Sequence, residues 1–151
     1  TTPLWRTLER YAVRCGGGRN HRFNLSSHAL IKDNHRSVEG VYAAVRAARE
    51  KWGPGAFVEA EVETGLETRE ALKAGADCLL FDNQTPKSLA RLLALTKGTG
   101  VLTEASGGIR LANIRLFAAT GVDRVSVGAL THSARPIDFS LEFSRALKGR
   151  E

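Results

Sequence analysis

AFVEAEVETGLETREALKAGADCLLFDN, residues 56–83, decides the fold. Ala56–Glu63 reads as a strand with an acidic end. Glu67–Ala74 reads as a short helix stopped by Gly75. Ala76–Phe81 is a nearly unbroken apolar run, the mark of a buried strand, and it ends in Asp82-Asn83. Strand, helix and strand joined this tightly form one βαβ unit with parallel strands.

The same order repeats on both sides. Residues 4–14 place Leu4, Leu8, Tyr11 and Ala12 on one helical face, and Gly16-Gly17-Gly18 stops that helix. Ala29–Lys32 reads as a strand, and residues 37–52 as an amphipathic helix with Ser37 at its N-cap and Gly53-Pro54-Gly55 at its end. Thr85–Lys97 is a helix with Pro86 in its first turn, where a missing N–H does no harm. Val101–Ala105 is a strand, Leu111–Thr120 a helix and Val122–Val127 a strand. Residues 137–143, IDFSLEF, alternate apolar and polar like a half-exposed strand. The βα unit thus recurs about five times without linkers or low-complexity segments. A doubly wound sheet and a (β/α) barrel both have this pattern. Polar groups at the C-terminal ends of nearly all strands favour the barrel: Lys32-Asp33-Asn34-His35, Glu61 and Glu63, Asp82-Asn83, Glu104 and Ser106, and Ser126. A doubly wound sheet concentrates its site at one switch point, whereas a barrel gathers groups from every strand around one mouth. Five units are too few for the usual eight, so the expected fold is a smaller open barrel or part of a longer one.

Length and composition set the class. At 151 residues the chain is about one domain, with 42% apolar and 25% charged residues. No run approaches the roughly 18 apolar residues of a membrane span, and the start, TTPLWRTLERYAV, lacks the order of a signal peptide. Cys15 and Cys78 form no CxxC and suggest buried thiols in a reducing, cytoplasmic setting. The net charge of +6 points to anionic partners or to ordinary solubility. Dispersed basic residues with few aromatics argue against nucleic acid and for small anions. Trp5 and Trp52, both on expected helices, read as packing residues.

Three constellations carry chemistry. Residues 105–109, ASGGI, follow a strand and precede a helix, so Ser106, Gly107 and Gly108 can bring free N–H groups to a phosphate. Gly128 and His132 lie in the equivalent loop one strand later, and a phosphate site after the last two strands is a barrel habit. Either loop alone could be a simple turn. Glu61 and Asp82 end adjacent strands, where they could hold Mg²⁺ and sugar hydroxyls, act as an acid/base pair, or merely be solvated. His21, Arg22 and Lys32 are cations near neighbouring strand ends and suit a substrate with more than one carboxylate. His28 reads as a loop or core histidine with satisfied nitrogens, His35 is open, and Cys78 reads as core packing.

NHR (20–22), LIKDNH (30–35), EVE (61–63), FDN (81–83), EASGGI (104–109), TGVDRVSVGALTHS (120–133) and DFSL (138–141), with the Gly16-Gly17-Gly18 turn before them, occur in one order and spacing. Together they closely resemble the C-terminal domain of the quinolinate phosphoribosyltransferase family, over essentially the whole chain. The resemblance implies an open, roughly six-stranded barrel beside an N-terminal sandwich domain, in a homodimer or larger assembly. It implies attack of the quinolinate ring nitrogen on C1 of phosphoribosyl pyrophosphate. Pyrophosphate leaves, the C2 carboxylate is lost as CO₂, and nicotinate mononucleotide, an NAD precursor, forms. By motif, His21, Arg22 and Lys32 would hold the quinolinate carboxylates, with Lys32 also stabilising charge during decarboxylation. Glu61 and Asp82 would meet the ribose hydroxyls and Mg²⁺, and Ser106, Gly107, Gly108, Gly128 and His132 the 5′-phosphate.

The departures shape the remaining expectations. The family carries an Arg-Lys pair just before the position of Thr1-Thr2-Pro3 and a whole domain before that. The 151-residue chain is therefore expected to be truncated, to lack the first barrel strand, and to be nearly inactive alone with an exposed apolar edge. Residues 1–136 form the barrel on this reading, and 137–151 a tail that packs on the missing domain. The alternatives are a paralogue with a different acceptor and a non-catalytic fragment.

Overall fold

A computed structural model describes residues 1–133 and 135–143, so the end of the expected tail, 144–151, lies outside the described residues. Its centre is one five-stranded sheet in the order β1-β2-β3-β4-β5. The strands are β1 (Ala29–Ile31), β2 (Val58–Val62), β3 (Cys78–Asp82), β4 (Leu102–Ser106) and β5 (Arg124–Val125). Every neighbouring pair is parallel. Strand order follows chain order with no reversal, so there is no switch point and the sheet is the curved wall of a (β/α) barrel.

The two faces of the wall are chemically distinct. Val58, Ala60 and Val62 of β2, Leu79 and Phe81 of β3, and Ala105 of β4 pack into the apolar cluster beneath the helices. The alternate positions form the barrel interior, and register stacks them in layers, as in larger barrels. Leu30 pairs with Glu59, Glu59 with Cys78, and Cys78 with Leu102. One layer higher, Glu61 pairs with Leu80, Leu80 with Glu104, and Glu104 with Arg124. Asp82 and Ser106 pair at the rim.

The helices are α1 (Arg6–Cys15), α2 (Asp33–Trp52), α3 (Gly65–Ala74), α4 (Pro86–Leu93), α5 (Ile114–Ala118) and α6 (Ala129–His132). Helix α2 begins at Asp33, four residues before the expected Ser37 N-cap. Its cause is His35, whose Nδ1 accepts the Lys32 N–H at 3.1 Å and closes the first turn. The Ser37 hydroxyl donates back to the Asn34 carbonyl at 3.1 Å from inside the helix. Gly40, at φ 77°, then breaks the helix into two segments. Helix α3 starts at Gly65 because Thr64 and Glu67 form a reciprocal capping box. Arg49 of α2 ties the opposite end of the sheet. It donates to the Ala56 carbonyl and at 2.6 Å to Asp77, which accepts the Val58 N–H at 2.7 Å.

Several packing expectations fail. Helix α1 buries none of its residues, and Leu8 and Tyr11 are exposed. Leu4 lies outside it in the left-handed region at φ 67°. Trp5 and Trp52 are exposed rather than packed, and Cys15 is exposed where a buried thiol was expected. Residues 137–143 form no strand. The alternating Ile137, Phe139, Leu141 and Phe143 are all exposed, so nothing pays the entropy of ordering them. No helix among the described residues is long and apolar enough to cross a membrane.

Phe81 is fully buried between β3 and the helices. Phe81→Ala is expected to cost about 3–5 kcal/mol, read as a loss of roughly 10 °C in Tm by calorimetry.

Candidate active site

The segment between α1 and β1 has no regular structure of its own, so side chains hold it. Arg10 donates to the carbonyl of His21 at 3.0 Å and Asn20 donates to the Arg10 carbonyl at 2.9 Å. Arg6 donates to the Phe23 carbonyl, and both arginines lie over the Phe23 ring, at 5.4 and 5.1 Å. The hydroxyl of Ser27 accepts the Phe23 N–H at 3.2 Å. This scaffold sets His21 and Arg22 beside the strand ends.

A cleft of about 590 Å³ opens there, lined among others by His21, Arg22, Lys32, Glu61, Asp82 and Ser106. An adjoining, larger cleft shares His21 and Ser106 and is walled by Gly107, Gly108, Gly128 and His132. All the site residues singled out from the sequence therefore line two neighbouring clefts at the C-terminal ends of the strands. Arg6, Arg10, Arg19, Arg110 and Arg135 also line the second cleft. Their isolated positions in sequence gave no sign of this convergence.

The acidic wall is built from β2 and β3. Glu61 is buried, with Lys32 Nζ at 3.7 Å and a guanidinium nitrogen of Arg36 at 3.5 Å. Burial pushes its carboxyl up, Lys32 and Arg36 oppose this, and the charges of Asp82 and Asp33 add to it. Arg36, which sequence reading missed, also donates to Glu63 and Glu67, each at 2.8 Å. It thereby joins the starts of α2 and α3 to the end of β2. Its buried Nε has no partner among the described residues. Asp82 lies one strand over and accepts a hydrogen bond from the Asn83 amide at 2.6 Å.

A second acidic group lies deeper. Glu59 Oε2 faces Nε2 of His28 at 2.9 Å and Nε2 of His21 at 3.2 Å. Nε2 of His28 thus has a partner, in line with the reading of it as a loop or core histidine, and that partner is a carboxylate the sequence reading passed over. Its ring also meets Phe57 edge-on at 5.4 Å. Burial pushes the Glu59 carboxyl up, and the two histidines more than offset it, leaving it below the usual range. Cys78 is buried as expected, and desolvation pushes its thiol up out of the reactive range. His21, His28 and Glu59 form one cluster of close donor atoms, and Glu59, Cys78 and Glu104 form another. Glu61 and Asp82 line the same cleft, and carboxylate oxygens of this kind suit Mg²⁺, which usually takes one or two carboxylates and leaves sites for substrate oxygens.

The glycine loop is dictated by space. Gly107 has φ +92°, and a Cβ there would stand 2.6 Å from the Asn83 nitrogen. Asn113 holds the other side of the loop, accepting the Arg110 N–H at 2.7 Å and donating to the Gly108 carbonyl at 3.2 Å. Helix α5 consequently starts at Ile114 rather than Leu111. The second loop winds into α6, where a Cβ on Gly128 would stand 2.8 Å from His132 Nε2.

Fold and clefts define a (β/α) barrel domain whose polar mouth lies at the C-terminal ends of its strands. A family model described as quinolinate phosphoribosyl transferase, C-terminal domain, matches residues 1–142. The chain belongs to that family. It is 46% identical over 143 residues to a probable nicotinate-nucleotide pyrophosphorylase [carboxylating] of Bacillus subtilis, covering 94% of this chain and 49% of the relative. It is 40% identical over 145 residues to the human nicotinate-nucleotide pyrophosphorylase [carboxylating], covering 94% and 49%. The crystal structure of NadC from Streptococcus pyogenes superposes with a TM-score of 0.85 at 42% identity, covering 95% of this chain and 50% of that one. The chain spans about half the length of the curated relatives it matches.

Proposed function

We propose that this chain supplies the barrel half of a carboxylating nicotinate-nucleotide pyrophosphorylase. The observation that carries this reading is the pair of clefts. Cations and acids line one of them, and a glycine cradle walls its neighbour. His21, Arg22 and Lys32 hold the quinolinate carboxylates, and the glycine cleft with His132 holds the 5′-phosphate of phosphoribosyl pyrophosphate. Glu61 and Asp82 meet the ribose hydroxyls and would hold Mg²⁺, which when bound neutralises charge on the leaving pyrophosphate. The ring nitrogen displaces pyrophosphate at C1, and the C2 carboxylate then departs as CO₂. The residues act by orienting two substrates and by matching the charge that develops, without a covalent enzyme intermediate. Lys32 stabilises the electron pair left at C2 of the ring until a proton from solvent takes it and gives nicotinate mononucleotide.

The enzyme is proposed to work as a homodimer or larger homo-oligomer in the cytoplasm. The exposed apolar residues of 137–143 are proposed to pack on a further domain.

The test is an assay of the full-length gene product with Mg²⁺, phosphoribosyl pyrophosphate and quinolinate. Nicotinate mononucleotide and CO₂ should form in equal amounts, and only when both substrates are present. A folded protein that binds the phosphoribosyl donor yet makes no product from quinolinate overturns the acceptor.

A further inference from the structure

Glu59 and Glu104 stand behind the cleft, 1% and 4% exposed. Neither is among the groups given a substrate above. An unpaired buried carboxylate is costly, so each must be matched by a proton or a cation. Among the described residues their ion-pair partners are both histidines. His21 Nε2 is 3.2 Å from Glu59 Oε2 and 3.8 Å from Glu104 Oε1, and His28 Nε2 is 2.9 Å from the same Glu59 oxygen. The other Glu59 oxygen faces the Cys78 thiol, and Glu104 Oε1 accepts the Ser126 hydroxyl. The main chain of His21 is fixed independently, by Arg10.

We propose that Glu59 is the positioning residue for His21: it accepts the Nε2 proton, so that the Nδ1 edge is what the ring offers the substrate. The inference rests on the quinolinate reading given above. A neutral ring protonated at Nε2 presents a lone pair at Nδ1, which repels a carboxylate. The same ring as an imidazolium presents an N–H, which binds one. His21 therefore holds an anion only in its charged state, and the carboxylate behind it stabilises that state, as carboxylates behind functional histidines do elsewhere.

The two carboxylates facing His21 act in the same direction. Its close contact with Glu59 pushes its pKa up, burial pulls it down, and the charges of Glu59 and Glu104 outweigh the nearby Arg22. From β3 the facing group is Cys78, whose raised thiol is uncharged. From the start of β1 it is His28, which shares the Glu59 oxygen, with ring centroids 5.5 Å apart. Because the pKa of His21 is raised, its charge is complete at low pH and lost as pH rises through that value. Quinolinate affinity should follow it.

The experiment uses nitrogen-15 spectra of the histidine rings in the full-length protein, alongside quinolinate KM against pH, for the wild type and Glu59→Gln. In the wild type the His21 ring should carry its proton on Nε2 when neutral, and KM should rise roughly tenfold per pH unit above the ring's midpoint. In Glu59→Gln the midpoint and the rise in KM should both begin about one pH unit lower, with kcat little changed. A neutral wild-type ring protonated at Nδ1 overturns the proposal, and needs no variant to fold. So do superimposable midpoints in the two proteins. A shifted midpoint with unmoved quinolinate affinity keeps Glu59 as the anchor of His21 and instead overturns the carboxylate role of His21.

Discussion

Glu61→Gln is expected to lower kcat/KM by about 10²–10³-fold while leaving the melting temperature unchanged or slightly raised. Glu61 points into the barrel from β2, paired in register with Leu80 and flanked by Lys32 and Arg36. Glutamine keeps the shape and removes the charge. Two functions proposed for the carboxylate then fail together: the ribose hydroxyls lose an ionic acceptor, and Mg²⁺ loses a ligand. The fold does not depend on that charge. Burial raises the Glu61 pKa, so the ionised form is a cost to the folded state at any pH above the usual carboxylate range. Arg36 keeps its closer partners, Glu63 and Glu67, both at 2.8 Å. Steady-state kinetics across Mg²⁺ concentrations, with calorimetry on the same sample, check the prediction. Equal losses of activity and of Tm would mean that Glu61 is structural.

The sequence made the frame legible wherever one periodicity and one stop signal agreed. The β2–α3–β3 unit is such a case, with an apolar Val58-Ala60-Val62 face and Gly75 in the left-handed conformation as the helix cap. The rim residues were legible too, because C-terminal strand ends fix where a barrel keeps its polar groups. Glu59 was not, although the signal was present. In VEAEVE the acids alternate with the apolar residues, so Glu59 shares the face of Glu61 one layer deeper. Reading the acids as strand-end punctuation hid that face. Arg36 was illegible for another reason: its partners lie 25–31 positions away. The expected Ser37 cap failed because the Lys32–His35 turn starts the helix earlier and Gly40 divides it. Apolar residues at helical spacing in α1 predicted a helix correctly and its burial wrongly. Periodicity fixes which face is apolar, not whether anything covers it.

Gly107→Ala is expected to be among the most damaging single-atom-scale changes in the chain, because strand pairing and the glycine cradle meet there. At φ +92° an L residue is strained by about 1–2 kcal/mol before any contact is considered. The new methyl would also stand 2.8 Å from Asn83 Cα and 2.6 Å from Asn83 nitrogen. Those are backbone atoms and cannot rotate away. The Asn83 N–H donates to the Ser106 carbonyl at 3.0 Å, so relieving the clash parts the last rung between β3 and β4. Asp82 pairs with Ser106 at that rung, and both line the cleft. A total loss of about 3 kcal/mol is expected, seen as a fall in Tm of several degrees. The affinity for phosphoribosyl pyrophosphate should fall further than that for quinolinate, since Gly107 walls the second cleft and Lys32 and Arg22 line the first. Gly108→Ala is the comparison. It also has positive φ, +62°, but a Cβ there meets nothing within 4 Å, so it carries the backbone strain without the clash. If the two variants lose equal stability and equal affinity, the contact between the Gly107 loop and Asn83 has no part in holding the cleft together.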